Sequence, residues 1–145
     1  MKIKIINFQM QTKQKEKLKE HIKEIFFMEE KKARQVFFNC VDKEKIFALN
    51  KTHLEHAWET DVIAFEYEEK GQIDGEVFIC KEVVEENAKK HNTDNKEELS
   101  RAFFHATLHL CGYSDKTKKQ KKTMTEKEDF YLKRFHVKQK QQENV

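Results

Sequence analysis

The chain has 145 residues, which suits one domain with an ordinary core, and 38% of them are charged against 37% hydrophobic. The net charge is only +3, so the total does not describe a strongly basic nucleic-acid binder. It contains no run of 18 or more apolar residues, which argues against a membrane-spanning helix. Cys40, Cys80 and Cys111 are odd in number and lack CxxC spacing, as expected of reduced thiols in a cytoplasmic protein.

Residues 2–8 alternate as a strand does. From Thr12, read as an N-cap, a helix is expected to about residue 30, with Leu18, Ile22, Ile25 and Phe26 on one stripe. Residues 36–41 form a short apolar strand, and Asp42 is placed to cap a short helix reaching about His53. Residues 60–67 and 76–80 are β-rich, and Gly71 with Asp74-Gly75 is read as breaking the chain between them. A helix over about 81–91 follows. Asp94 with Glu97 marks the start of another over about 95–111, and a last helix spans about 117–137 with Met124, Tyr131, Leu132 and Phe135 inward. The polar stretch from Lys138 reads as a flexible tail, leaving residues 1–137 as a single domain. The order β-α-β-α-β-β-α-α-α predicts an α+β fold, one mixed sheet of about four strands packed with about five helices.

The chemistry concentrates at the end of the fourth predicted helix, in His105-Ala-Thr-Leu-His109-Leu-Cys-Gly112-Tyr-Ser-Asp115. Two histidines at i and i+4 share a helix face and can converge on one ion. Gly112 can end the helix in a left-handed conformation, and the turn can bring Asp115 round as a third ligand. Three ligands with one position open are the arrangement of a catalytic metal site. Spacing alone is weak, because seven histidines in 145 residues give roughly 0.3 such pairs by chance, and two satisfied histidines in a buried helix are the plain alternative. The apolar surroundings raise the case: a buried imidazole needs a partner for both nitrogens, and a metal is one solution.

This run resembles the H-G-x-L-H-L-x-G-Y-D-H signature of the YbeY family, metal-dependent endoribonucleases of ribosomal RNA maturation. His105 and His109 match the first two metal-binding histidines, with Leu108, Leu110, Gly112 and Tyr113 around them. Thr60-Asp61-Val62, Gly75-Glu76-Val77 and Leu49-Asn50 resemble further family segments in the same order. Three departures matter. Asp115 stands where the third histidine falls, Ala106 replaces a glycine, and no arginine occurs near His53-Leu54, where the family's catalytic arginine falls.

The resemblance implies a single-strand-directed endoribonuclease acting on ribosomal RNA precursors or the small subunit, in quality control as well as maturation. A non-catalytic ribosome-assembly factor with a structural metal is the alternative, and a metal-dependent hydrolase of another substrate a third. One divalent ion is expected, zinc first, with oxygen ligation admitting manganese, nickel or iron. Such an ion lowers the pKa of water and polarises a phosphoryl oxygen. Metallopeptidases carry a glutamate after the first histidine; Ala106 in that place disfavours peptide hydrolysis.

The resemblance brings Asp61 and Glu76 near the metal as candidate bases, Glu76 more simply a solvent-facing or turn carboxylate. Lys118, Lys119, Lys121 and Lys122, with Lys116, could attract phosphate, or form a solvated helix face. Trp58 and Phe65 could stack on bases or belong to the core, and His53 and His56 could touch phosphate or simply lie on the surface.

Overall fold

A computed structural model describes residues 1–54 and 60–143 of the chain. Four strands and five helices occur among them, in the order β1 (Lys2–Ile6), α1 (Thr12–Met28), β2 (Ala33–Cys40), α2 (Lys43–Leu54), β3 (Val62–Glu69), β4 (Gln72–Ile79), α3 (Lys81–Lys90), α4 (Asn95–Leu110) and α5 (Lys118–Glu143). The sheet order is β1-β2-β4-β3. β1 pairs with β2 and β2 with β4 in parallel, while β3 returns antiparallel on β4 as an edge hairpin. This is the mixed α+β sheet expected from the element order.

Period-two alternation sends successive strand residues to opposite faces. Ile3 and Ile5, Val36 and Phe38, and Val77 and Ile79 join one core, which α1, α4 and α5 cover with Ile22, Phe26, Phe103, Phe104, Leu108, Tyr131 and Phe135. On β3, Val62 and Ala64 pack against that core, while Ile63 and Phe65 join a smaller cluster with Ile46 of α2 and Val83 of α3. By the alternation, α2 therefore covers the opposite face. Helix α4 is the hub, contacting α1, α3, α5, β3 and β4. Seven of its residues are buried, from Ala102 to Leu110, so little of its circumference meets water.

Several boundaries differ from expectation for identifiable reasons. Thr12 is the first helical residue, not the cap; Gln11 holds the cap position with no side-chain bond. Asp42 does cap α2, its Oδ1 accepting from the Lys45 N–H at 2.8 Å, and Asp94 caps α4 by accepting from the Glu97 N–H at 3.2 Å. Asp74-Gly75 is not a break but lies inside β4. The two-residue turn is Lys70-Gly71, with φ of 52° and 76° at its two positions, the conformation that matches strand twist. Asp74 instead clamps β2, accepting from Arg34 at 2.9 and 2.6 Å. Gly75 makes room for α4, since a Cβ there would stand 2.7 Å from Leu110 Cδ1. The last helix does not stop at 137 but runs to Glu143, with Lys138 folded back onto Glu24 of α1. No helix among the described residues is long and apolar enough to cross a membrane.

Candidate metal centre

The end of α4 is built as the sequence suggests, by a hydrogen-bonded stop. The Tyr113 N–H donates to the Leu108 carbonyl at 3.1 Å and the Gly112 N–H to that of His109 at 3.0 Å. This six-to-one and five-to-two pair needs a positive φ at the residue between them, and Gly112 supplies 104°. The chain then reverses and brings Asp115 back over the histidines.

Three ligand atoms converge. His105 Nε2 and His109 Nε2 stand 3.0 Å apart, and Asp115 Oδ2 lies 3.4 and 3.5 Å from them. A tetrahedral ion with bonds of about 2.0–2.1 Å spaces its ligands by about 3.3 Å, so the cluster has the right size. The outer nitrogens are already committed. His105 Nδ1 meets Glu128 Oε2 at 2.5 Å, and His109 Nδ1 donates to the Tyr113 carbonyl at 2.8 Å. With both Nδ1 atoms engaged, the two Nε2 atoms and a carboxylate oxygen face one point. Such an arrangement asks for a cation at its centre. The cluster can hold a metal ion.

Burial disfavours charge on both imidazoles, yet the two are driven apart. For His105 the hydrogen bond and charge of Glu128, with Asp115 and Asp61 behind it, outweigh burial and raise the pKa. For His109 burial and the charge of His105 win, and the pKa is lowered. Glu128 is held in turn by Arg101 at 2.9 Å, whose other arm takes Asp129 at 2.8 Å.

Beside the cluster opens a cleft of about 330 Å³ bordered by Asp61, Arg101, His105, Asp115, Lys121 and Glu128. Asp61 is half-buried there, and burial pushes its carboxyl above the usual range. Glu76, the other candidate base, lies within β4 and does not line this cleft. Of the lysines, Lys121 borders it, whereas Lys118, Lys119 and Lys122 are exposed along the first turns of α5. Phe65 packs edge-on against Phe78 at 6.0 Å as part of the smaller cluster. Cys111 is buried, its thiol pushed up to about 12 by burial. Trp58 and His56 lie outside the described residues, as does the side chain of His53.

Glu128 escaped the sequence reading. Its signal was nevertheless present: it falls four residues after Met124 and three before Tyr131, a carboxylate on an otherwise apolar helical stripe. A buried carboxylate in that position implies a partner.

Comparison with known proteins covers nearly the whole chain. The family model described as Endoribonuclease YbeY matches residues 2–136. The Endoribonuclease YbeY of Flavobacterium johnsoniae is 34% identical over 139 residues, covering 93% of this chain and all of that protein. That of Chlorobium luteolum is 46% identical over 84 residues, or 58% of this chain and 61% of that one. A solution structure of a Thermotoga maritima protein, 30% identical, superimposes with a TM-score of 0.67 over 97% of this chain and 93% of its own. With the family model matched over residues 2–136, a relative matched over its whole length and the fold shared, this chain belongs to the YbeY endoribonuclease family.

Proposed function

We propose that the protein is a metal-dependent endoribonuclease that cuts single-stranded RNA in the maturation and quality control of ribosomal RNA in the cytoplasm. His105, His109 and Asp115 hold one divalent ion. The observation that carries this reading is the convergence of two Nε2 atoms and a carboxylate oxygen while both Nδ1 atoms are bonded elsewhere. Two imidazoles and a carboxylate suit zinc, manganese, nickel or iron, and the near-tetrahedral spacing favours zinc. When bound, a divalent ion supplies Lewis acidity towards water and a phosphoryl oxygen.

The remaining work belongs to the chain. Glu128 and the Tyr113 carbonyl keep the imidazoles in the tautomer that offers Nε2, and Arg101 keeps Glu128 in place. Asp61 borders the cleft with a raised pKa, which makes it a better proton acceptor near neutral pH than an exposed carboxylate. Lys121 offers a positive charge at the cleft wall for the phosphate. The two imidazoles are recessed, 26% and 28% exposed, so a strand free of a helical stack reaches them more readily. That favours a single strand as substrate.

The test is cleavage of single-stranded RNA by the zinc-loaded protein and by His109→Ala. Wild-type cleavage that drops to background in the variant is the expected result. Equal cleavage by both points to a contaminating nuclease and returns the protein to a non-catalytic role in ribosome assembly.

A further inference from the structure

The C-terminal end of α1 carries a carboxylate that points into the protein. The Glu29 side chain is only 8% exposed. It accepts from the Tyr113 hydroxyl at 2.6 Å, from the Tyr131 hydroxyl, and from Lys127 Nζ at 3.2 Å. Lys127 also sits over the Tyr113 ring, 5.5 Å from its centre. Burial opposes the charge on Glu29, but the three donors outweigh it and hold the carboxyl below its ordinary range. An ionised carboxylate with this many donors is a firm anchor.

What it anchors is the turn of the metal centre. Tyr113 is fixed at three atoms: its N–H closes the end of α4, its carbonyl accepts from His109 Nδ1, and its hydroxyl reaches Glu29. Asp115 follows two residues later. The orientation of the His109 imidazole therefore depends on where the Tyr113 carbonyl stands, and that depends on a carboxylate 84 residues upstream.

We infer that Glu29 is a positioning residue for the metal centre, acting through the Tyr113 hydroxyl to set the carbonyl that orients His109 and the turn that presents Asp115. This inference rests on the metal-site reading above. Glu29 touches neither the cluster nor the cleft, and Tyr113 is its one bonded partner on the turn that carries Asp115; its other partners, Lys127 and Tyr131, lie on α5 with Glu128. Tyr131 serves as an internal contrast. Its hydroxyl bonds the same carboxylate, yet it lies on α5 and contributes nothing to the turn.

The experiment measures zinc affinity by competition with a chelating dye, and the thermal midpoint of the metal-free protein, for wild type, Glu29→Gln, Tyr113→Phe, Tyr131→Phe and the Glu29→Gln/Tyr113→Phe double variant. Tyr113→Phe and Glu29→Gln are expected to weaken zinc binding by about 10–100-fold, the usual cost of losing a group that orients a ligand. The double variant should be no worse than the weaker single, because both changes break one connection. Tyr131→Phe should lower the thermal midpoint while leaving zinc affinity within about twofold of wild type, the error of the measurement. Wild-type affinity in Tyr113→Phe and Glu29→Gln overturns the inference, as does an equal loss in Tyr131→Phe, which would make the network merely structural. Failure of wild type itself to bind zinc, manganese or nickel overturns the metal-site reading instead.

Discussion

Asp115 is the member of the cluster whose chemistry is most exposed to test. It is the most solvent-accessible of the three residues at 41%, and it is held by no helix, only by the turn that Gly112 and Tyr113 begin. Asp115→Ala should lower metal occupancy several-fold by elemental analysis and leave the circular dichroism spectrum and melting curve of the metal-free protein unchanged. Unchanged occupancy would remove it from the ligand set. A different histidine contributes to the pH dependence of stability. His21 is 1% exposed, with Nε2 donating to the Tyr131 carbonyl at 2.8 Å and Nδ1 accepting from Lys138 at 3.2 Å. Burial and then the positive charge of Lys138 lower its pKa to about 4, although Glu24 stands 3.4 Å away. The fold thus prefers the neutral ring, whereas the unfolded chain protonates it near its ordinary value of 6.5. Its contribution is whole above pH 6.5 and is lost as pH falls towards 4, on the order of 3 kcal/mol at about 1.4 kcal/mol per pH unit. Urea unfolding at pH 7 and pH 4.5 should show that slope in wild type and a shallower one in His21→Gln, which keeps an N–H for the Tyr131 carbonyl but has no proton to gain.

At the scale of elements, the helix that carries the candidate metal centre lies close against the sheet. Gly75 lies beneath Leu110, one residue from the helix's capping residue, and the space above it is already taken by Leu110 Cδ1 at 2.7 Å and Val36 Cγ1 at 3.3 Å from where a Cβ would stand. Gly75→Val overfills this space, and both neighbours are buried, so neither side chain can swing into solvent. A loss of about 1–3 kcal/mol is expected in urea unfolding. The same position explains why the glycine misled as a turn signal. Glycine is used both where the chain must turn and where another element must come close, and the two uses look alike in one dimension. Gly71 and Gly112, with φ of 76° and 104°, are turn glycines; Gly75 is the other kind.

For the molecule as a whole, the formal charge of +3 conceals its distribution. Lys118, Lys119 and Lys122 lie exposed on the first turns of α5, and Lys121 reaches the wall of the cleft that holds the cluster. If these charges guide RNA, its affinity falls steeply with salt. Replacing all four by alanine should flatten the slope of log K against log salt by up to about 0.7 for each phosphate of a single strand that is no longer neutralised. A slope identical to wild type, read by fluorescence anisotropy at several salt concentrations, would make them solvated charge only.

Local pattern decided the order of the elements, the inward stripes of α1 and α5, the stop at Gly112 and the pairing of His105 with His109. Each of these depends on residues within a turn or two of one another, where spacing along the chain maps directly onto spacing in three dimensions. Tertiary structure alone decided that Glu128 would take His105 Nδ1, that Asp74 would clamp Arg34 across the sheet, and that Glu29 would reach Tyr113. Those partners are 23, 40 and 84 residues apart, and nothing in a sequence records which distant polar groups will meet. They meet because burying the apolar faces of α1, α4 and α5 against the sheet sets where every attached carboxylate must end. A buried carboxylate that had found no donor there would have cost the fold too much to keep.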